Sequence, residues 1–181
     1  WLRTGKLIYL QITKFWTKLC ALTFGMGVVS GIVLSYELGT NFGPFIHQAG
    51  GVLGPLFGCE VMSAFFLEAG FLGVMLFGWK RVGPKLHFFA TSMVAVGTLI
   101  SAFWIMSANS WMQTPSGYLV KDGIIVVTSW WHVIFNPSVG PRYVHMLLAS
   151  FVTTGFVVAA VNAWFLLRKR HVTMAKKVLR F

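Results

Sequence analysis

The chain has 181 residues, of which 56% are apolar, 16% aromatic and only 10% charged, and its mean hydropathy is +0.73. Soluble domains carry roughly 25% charged residues, so this composition is that of a membrane protein and excludes both a soluble domain and a disordered chain. The net charge of +11 does not signify nucleic-acid binding, because the basic residues sit in clusters beside long apolar runs and not on one amphipathic face.

A membrane-crossing helix needs about 20 mostly apolar residues, and four stretches supply them: 17–37, 53–78, 86–108 and 143–167. The fold class is therefore all-α, a polytopic bundle with four transmembrane helices in a single membrane domain over residues 1–181. Lysine and arginine collect on the cytoplasmic side of membranes. Arg3, Lys6, Lys14 and Lys18, then Lys80, Arg81 and Lys85, then Arg168, Lys169, Arg170, Lys176, Lys177 and Arg180 fall on one side; Lys121 and Arg142 fall on the other. Both ends are thus expected in the cytoplasm, with a long outer connection over 109–141. Its run Thr128-Ser-Trp-Trp-His-Val-Ile-Phe-Asn-Pro137 is rich in tryptophan, which favours the membrane interface, and is expected to lie flat on the outer surface. No secretory leader is visible, and the absence of an initiator methionine fits a processed chain or a piece of a longer one.

Cys20 and Cys59 show neither metal-ligand nor redox spacing and read as buried small hydrophobes. Gly27-Val-Val-Ser-Gly31 and Gly54-Pro-Leu-Phe-Gly58 have the spacing that lets membrane helices approach closely. No nucleophile elbow, phosphate loop or metalloprotease helix is present.

The second span contains Glu60 and Glu68, although a carboxylate within a membrane helix is costly. In a regular α-helix eight residues put them about 80° apart around the axis and about 12 Å apart in depth. Both are expected to face the bundle interior, and three roles stay open: hydrogen-bonded core carboxyls, members of a proton path, or ligands to a buried cofactor. Ser101 in the third span can extend a proton path, or simply bond back to its own helix. Of five histidines, His171 lies in the basic tail and His47 and His132 in outer connections. His87 opens the third span at its cytoplasmic end and His145 the fourth at its outer end, so the two cannot ligate one iron. If His145 holds a haem, its partner is a methionine or lies in another segment; the alternative is a helix-end hydrogen bond.

Specific strings then point to a family. Gly58-Cys-Glu-Val-Met-Ser-Ala-Phe-Phe-Leu-Glu-Ala-Gly-Phe-Leu-Gly73, followed by Phe77-Gly-Trp-Lys-Arg81, resembles the glutamate-bearing helix of subunit I of cytochrome bd-type ubiquinol oxidase. Gly39-Thr-Asn41, Ser101-Ala-Phe-Trp-Ile-Met-Ser-Ala-Asn-Ser-Trp-Met-Gln-Thr-Pro115 and Arg142-Tyr-Val-His145 match the same family in order and spacing. The resemblance implies a terminal oxidase of the bacterial inner membrane that takes electrons from membrane quinol and reduces dioxygen to water. It implies low-spin and high-spin haem b, a haem d, and a second oxidase subunit as partner.

By that match His145 is the axial ligand of the low-spin haem b iron, and Glu60 is the carboxylate at the high-spin haem iron. Glu68 and Ser101 belong to the path bringing cytoplasmic protons to that site, while Asn109, Trp111 and Gln113 lie near the low-spin haem. The pattern Ser35-Tyr-Glu-Leu38 leans toward the cyanide-insensitive branch. The family's first helix with its haem-ligating histidine, its quinol-binding loop and the methionine paired with His145 lie outside these residues. The chain therefore looks like a four-helix middle fragment, expected to be inactive alone. A reading from the residues only, a haem-free proton or ion transporter subunit using Glu60 and Glu68, competes with it; a purely structural subunit would not need two intramembrane carboxyls.

Overall fold

The computed structural model describes residues 1–180, apart from the side chain of Ser35. The chain forms α1 (Leu7–Thr40), α2 (Gly43–Glu60), a five-residue π-helical segment (Val61–Phe65), α3 (Phe66–Phe77), a 3₁₀ turn (Gly78–Lys80), α4 (Pro84–Gln113), a hairpin of β1 (Tyr118–Lys121) and β2 (Ile124–Val127), α5 (Trp130–Ile134), α6 (Val139–Leu167) and α7 (Val172–Val178). Four helical stretches are long and apolar enough to cross a membrane: Leu7–Thr40, Gly43–Lys80, Pro84–Gln113 and Trp130–Leu167. The all-α membrane bundle expected from composition is therefore present.

The helices overrun the spans read from hydropathy. Apolar counting stops at Lys14 and Lys18, yet α1 begins at Leu7, because lysine stems lie along an apolar helix while their ammonium groups reach water. His47, expected in a connection, lies exposed within α2. Gly83 is extended and Pro84 takes the first position of α4, where the missing proline N–H leaves no bond unmade.

Two compact units divide the chain: Cys20–Tyr143, and Trp1–Leu19 together with Val144–Phe181. In the first, Ala49, Val52, Leu53 and Leu56 of α2 pack with Ala108 and Trp111 of α4 and with Val133 of α5. The residues between α4 and α6 fold onto this core. Tyr118 pairs with Val127 and Lys121 with Ile124 around Asp122 and Gly123, both at positive φ, 52° and 77°, as a tight hairpin turn requires.

The Thr128–Pro137 segment does not simply lie on the outer surface. Trp131 is exposed, but Val133 is fully buried, and the backbone is tied to the end of α4. Ser107 Oγ donates to the Ile134 carbonyl at 2.8 Å, and Asn136 Nδ2 donates to the carbonyls of Ser107 (3.2 Å) and Val133 (3.1 Å). Buried backbone polar groups need such partners. Hydropathy alone does not reveal them.

In the second unit Phe15 meets Phe165 edge to face, with centroids 5.7 Å apart, and Phe165 meets His171 at 5.4 Å. Lys177 Nζ lies 5.5 Å above the Tyr9 ring, an attraction between ammonium and the ring's negative face. Met174 and Ala175 of α7 are buried, so the basic stretch after α6 ends in a docked helix.

Two expectations need correction. Cys20 and Cys59 are both exposed, where an apolar thiol suits lipid or protein equally. The paired glycines at 27, 31, 54 and 58 have open space where a Cβ would project. Close helix approach is found instead at Gly97.

Candidate functional site

Glu60 ends α2 and Glu68 lies in the first turn of α3, with the π-helical segment Val61–Phe65 between them. Within it the Phe66 N–H bonds to the Val61 carbonyl, five residues back. A π turn accommodates one residue more than an α turn. Eight residues therefore advance the helix like seven, and the angle between the two glutamates falls from about 80° to about 20°. Both carboxyl side chains are brought to the face packed against α4.

The two rungs on α4 are one helical turn apart. Ser101 Oγ donates to Glu60 Oε1 at 2.6 Å. Most other hydroxyls in these helices bond back to their own backbone: Thr91 to His87, Ser92 to Phe88, Thr98 to Val94, Ser150 to Met146 and Thr153 to Ala149. Ser101 thus bonds across the helix interface and not back to its own helix. At 2.6 Å the bond is in the range of a hydroxyl donating to a carboxylate.

Glu68 is only 6% exposed. A Cβ placed on Gly97 would come within 2.5 Å of Glu68 Cγ and 3.4 Å of both the Ala64 carbonyl oxygen and the Glu68 nitrogen. The absent side chain at position 97 thus provides the space that Glu68 fills. Thr98, beside Gly97 on α4, bonds back to its own helix, its hydroxyl donating to the Val94 carbonyl at 3.0 Å.

At the far end of the α3–α4 hairpin His87 is buried, its Nε2 3.0 Å from the Met75 carbonyl and its ring 4.0 Å from that of Trp79. These contacts fix the hairpin and account for His87 as a packing residue. Tyr143 fastens the start of α6, donating from its hydroxyl to the Leu99 carbonyl at 3.0 Å.

The residues anticipated around the low-spin haem lie at the end of α4 and the start of α6. Trp111 is 2% exposed and donates from Nε1 to the Ser116 carbonyl at 3.0 Å, so it holds the hairpin end of the core. Asn109 is half-buried and Gln113 exposed. His145 is exposed on α6, and among the described residues its imidazole has no hydrogen-bond partner, so both ring nitrogens are free to bind. Arg142 Nη1, which sequence reasoning did not single out, is buried without a partner, a cation suited to meet an anionic group. Among the described residues no cluster of three metal-ligating side chains occurs.

Comparison with known proteins adds a second line of observation. The family model of cytochrome bd terminal oxidase subunit I matches residues 1–181. The cytochrome bd-II ubiquinol oxidase subunit 1 of Escherichia coli strain K12 is 37% identical over 174 residues, covering 95% of this chain and 34% of the relative. The cytochrome bd ubiquinol oxidase subunit 1 of Bacillus subtilis strain 168 is 35% identical over 170 residues, covering 94% and 36%. A solved structure of bd oxidase from Geobacillus thermodenitrificans superposes with a TM-score of 0.91 at 32% identity, covering 98% of this chain and 41% of that one. The chain thus spans about a third of the length of the curated relatives it matches.

Proposed function

The chain belongs to the cytochrome bd terminal oxidase subunit I family, and from that premise we propose that it forms the proton-delivering part of an oxidase that passes electrons from membrane quinol to dioxygen. The observation that carries this reading is the pair of glutamates aligned on one face of a membrane helix, with Glu60 bonded to Ser101 across the helix interface and Glu68 buried one rung away. Carboxyls in a membrane interior mark ion and proton pathways. Packing alone does not explain two of them on the same face.

His145 would hold the low-spin haem b iron through an imidazole nitrogen, and Glu60 would stand at the high-spin haem iron, next to a haem d. When bound, the haems supply one-electron transfer and the site at which dioxygen is reduced. Reduction of dioxygen to water takes up one proton for each electron. Glu68 receives protons from the cytoplasmic side, where the basic residues lie, and passes them toward Glu60. Ser101 Oγ, donating to Glu60 Oε1, orients that carboxyl and can relay a proton by turning its hydroxyl.

If quinol is oxidised at the outer face, its protons are released there while protons for water formation come from inside. The reaction then charges the membrane without a pump. A second oxidase subunit completes the complex in the bacterial inner membrane, with both ends of this chain in the cytoplasm.

Ser101→Ala in the complete oxidase tests the route. It removes the donor to Glu60 while leaving α4 helical, since alanine is the best helix former. Quinol-driven oxygen consumption is expected to fall roughly tenfold, less than the roughly hundredfold that a misplaced reacting group can cost, because Glu60 itself remains. Unchanged turnover would remove Ser101 from the path.

A further inference from the structure

The π turn between the glutamates has to be held, because an α-helix through the same residues is the ordinary conformation and single π turns are rare. If Val61–Phe65 relaxed to α geometry, Glu68 would rotate by about 100° relative to Glu60 and leave its place against Gly97. The segment carries one hydroxyl, Ser63. Its Oγ donates to the Cys59 carbonyl at 2.6 Å and accepts the indole N–H of Trp104 at 2.8 Å.

The first bond reaches back over the turn that begins the π segment. A serine bonding to its i−4 carbonyl bends a helix locally. The second crosses to α4. Trp104 lies one turn beyond Ser101 and Ser63 one turn beyond Glu60, so the two cross-helix bonds, Ser101 to Glu60 and Trp104 to Ser63, fasten adjacent turns of the same pair of helices. Ala64, fully buried and next to Gly97, leaves no room for the segment to slide.

We infer that Ser63 and Trp104 are positioning residues, a lock that keeps the π turn wound so that Glu60 and Glu68 share the face against α4. Serine at 63 suits this role because its hydroxyl can donate and accept at once. Threonine keeps both bonds and alanine keeps neither. Trp104→Phe keeps a ring but removes the N–H. The inference rests on the reading of the two glutamates as a proton path, and its test separates the two.

The complete oxidase would be prepared as Ser63→Ala, Ser63→Thr, Trp104→Phe and Glu60→Gln. Two quantities are read: steady-state kcat and KM for quinol, and the carboxyl band in the redox infrared difference spectrum that Glu60→Gln abolishes. Ser63→Ala and Trp104→Phe are expected to shift that band and to lower kcat about tenfold with KM unchanged, while Ser63→Thr restores both. Wild-type band and kcat in Ser63→Ala and Trp104→Phe, with Glu60→Gln inactive, overturn the lock and leave the proton path standing. Full turnover in Glu60→Gln overturns the proton path. The lock is then decided by the electron-microscopic map of Ser63→Ala: an α turn with Glu68 rotated away supports it, and an intact π turn overturns it.

Discussion

Glu60→Gln in the complete oxidase is expected to lower oxygen consumption by about a hundredfold or more, the range spanned by loss of a positioned proton-transfer group. Glutamine has the size and shape of glutamate, and its carbonyl oxygen still accepts the hydroxyl of Ser101, now 2.6 Å from Glu60 Oε1. Helix packing and the cross-helix bond are therefore preserved. What disappears is a group that can take and release a proton. A variant that assembles in normal yield, melts at the wild-type temperature and consumes oxygen slowly isolates this chemical contribution. Near-normal turnover would reduce Glu60 to a packing residue.

The second large effect is expected at Gly97, where the result depends on the size of the new side chain. Alanine places a Cβ within 2.5 Å of Glu68 Cγ, which the flexible glutamate can relieve by moving its side chain out of the space beside position 97. Helix propensity favours alanine by about 1 kcal/mol, against about 1–3 kcal/mol for overpacking, so the folded complex is expected to survive. Its turnover is expected to fall roughly tenfold through displacement of Glu68. Valine adds two γ-carbons next to the Ala64 carbonyl and the Glu68 amide, each already 3.4 Å from a Cβ at this position. These are backbone atoms and cannot turn aside. Gly97→Val is expected to separate α3 from α4 and reduce assembled oxidase in the membrane, measured by complex yield and thermal melting. Wild-type assembly and turnover in both variants would contradict the close contact.

The four membrane-crossing helices were legible because apolar runs of the right length are a one-dimensional signal. Their ends were less so, since Lys14 and Lys18 interrupt hydropathy without interrupting α1. Glu60, Glu68 and Ser101 stood out as polar residues in an apolar setting. The contact between Glu60 and Ser101 did not, because it depends on helix phase. Nothing in Val61-Met-Ser-Ala-Phe65 marks a π turn by composition, and a regular helix gives about 80° between the glutamates where one with a π turn gives about 20°.

The hairpin had a readable signal. Asp122-Gly123 between Tyr118-Leu-Val-Lys121 and Ile124-Ile-Val-Val127 is a strong two-residue turn pattern, obscured by reading the outer connection as an interfacial segment. The open space beside Gly27, Gly31, Gly54 and Gly58 shows why small-residue spacing is weak by itself. It permits close approach without specifying a neighbour. Gly97 is in neither of those glycine pairs, and the buried glutamate opposite it is what requires a glycine.

The central claim, that this chain works in a haem-containing quinol oxidase with Glu60 at its oxygen site, is tested most directly by the reduced-minus-oxidised absorption spectrum of the native membrane complex, recorded with and without carbon monoxide. The account predicts haem b bands together with a long-wavelength chlorin band that shifts when the gas is added. A complex without haem absorption that still moves protons across liposomes would contradict it, and would make Glu60 and Glu68 the working groups of a transporter.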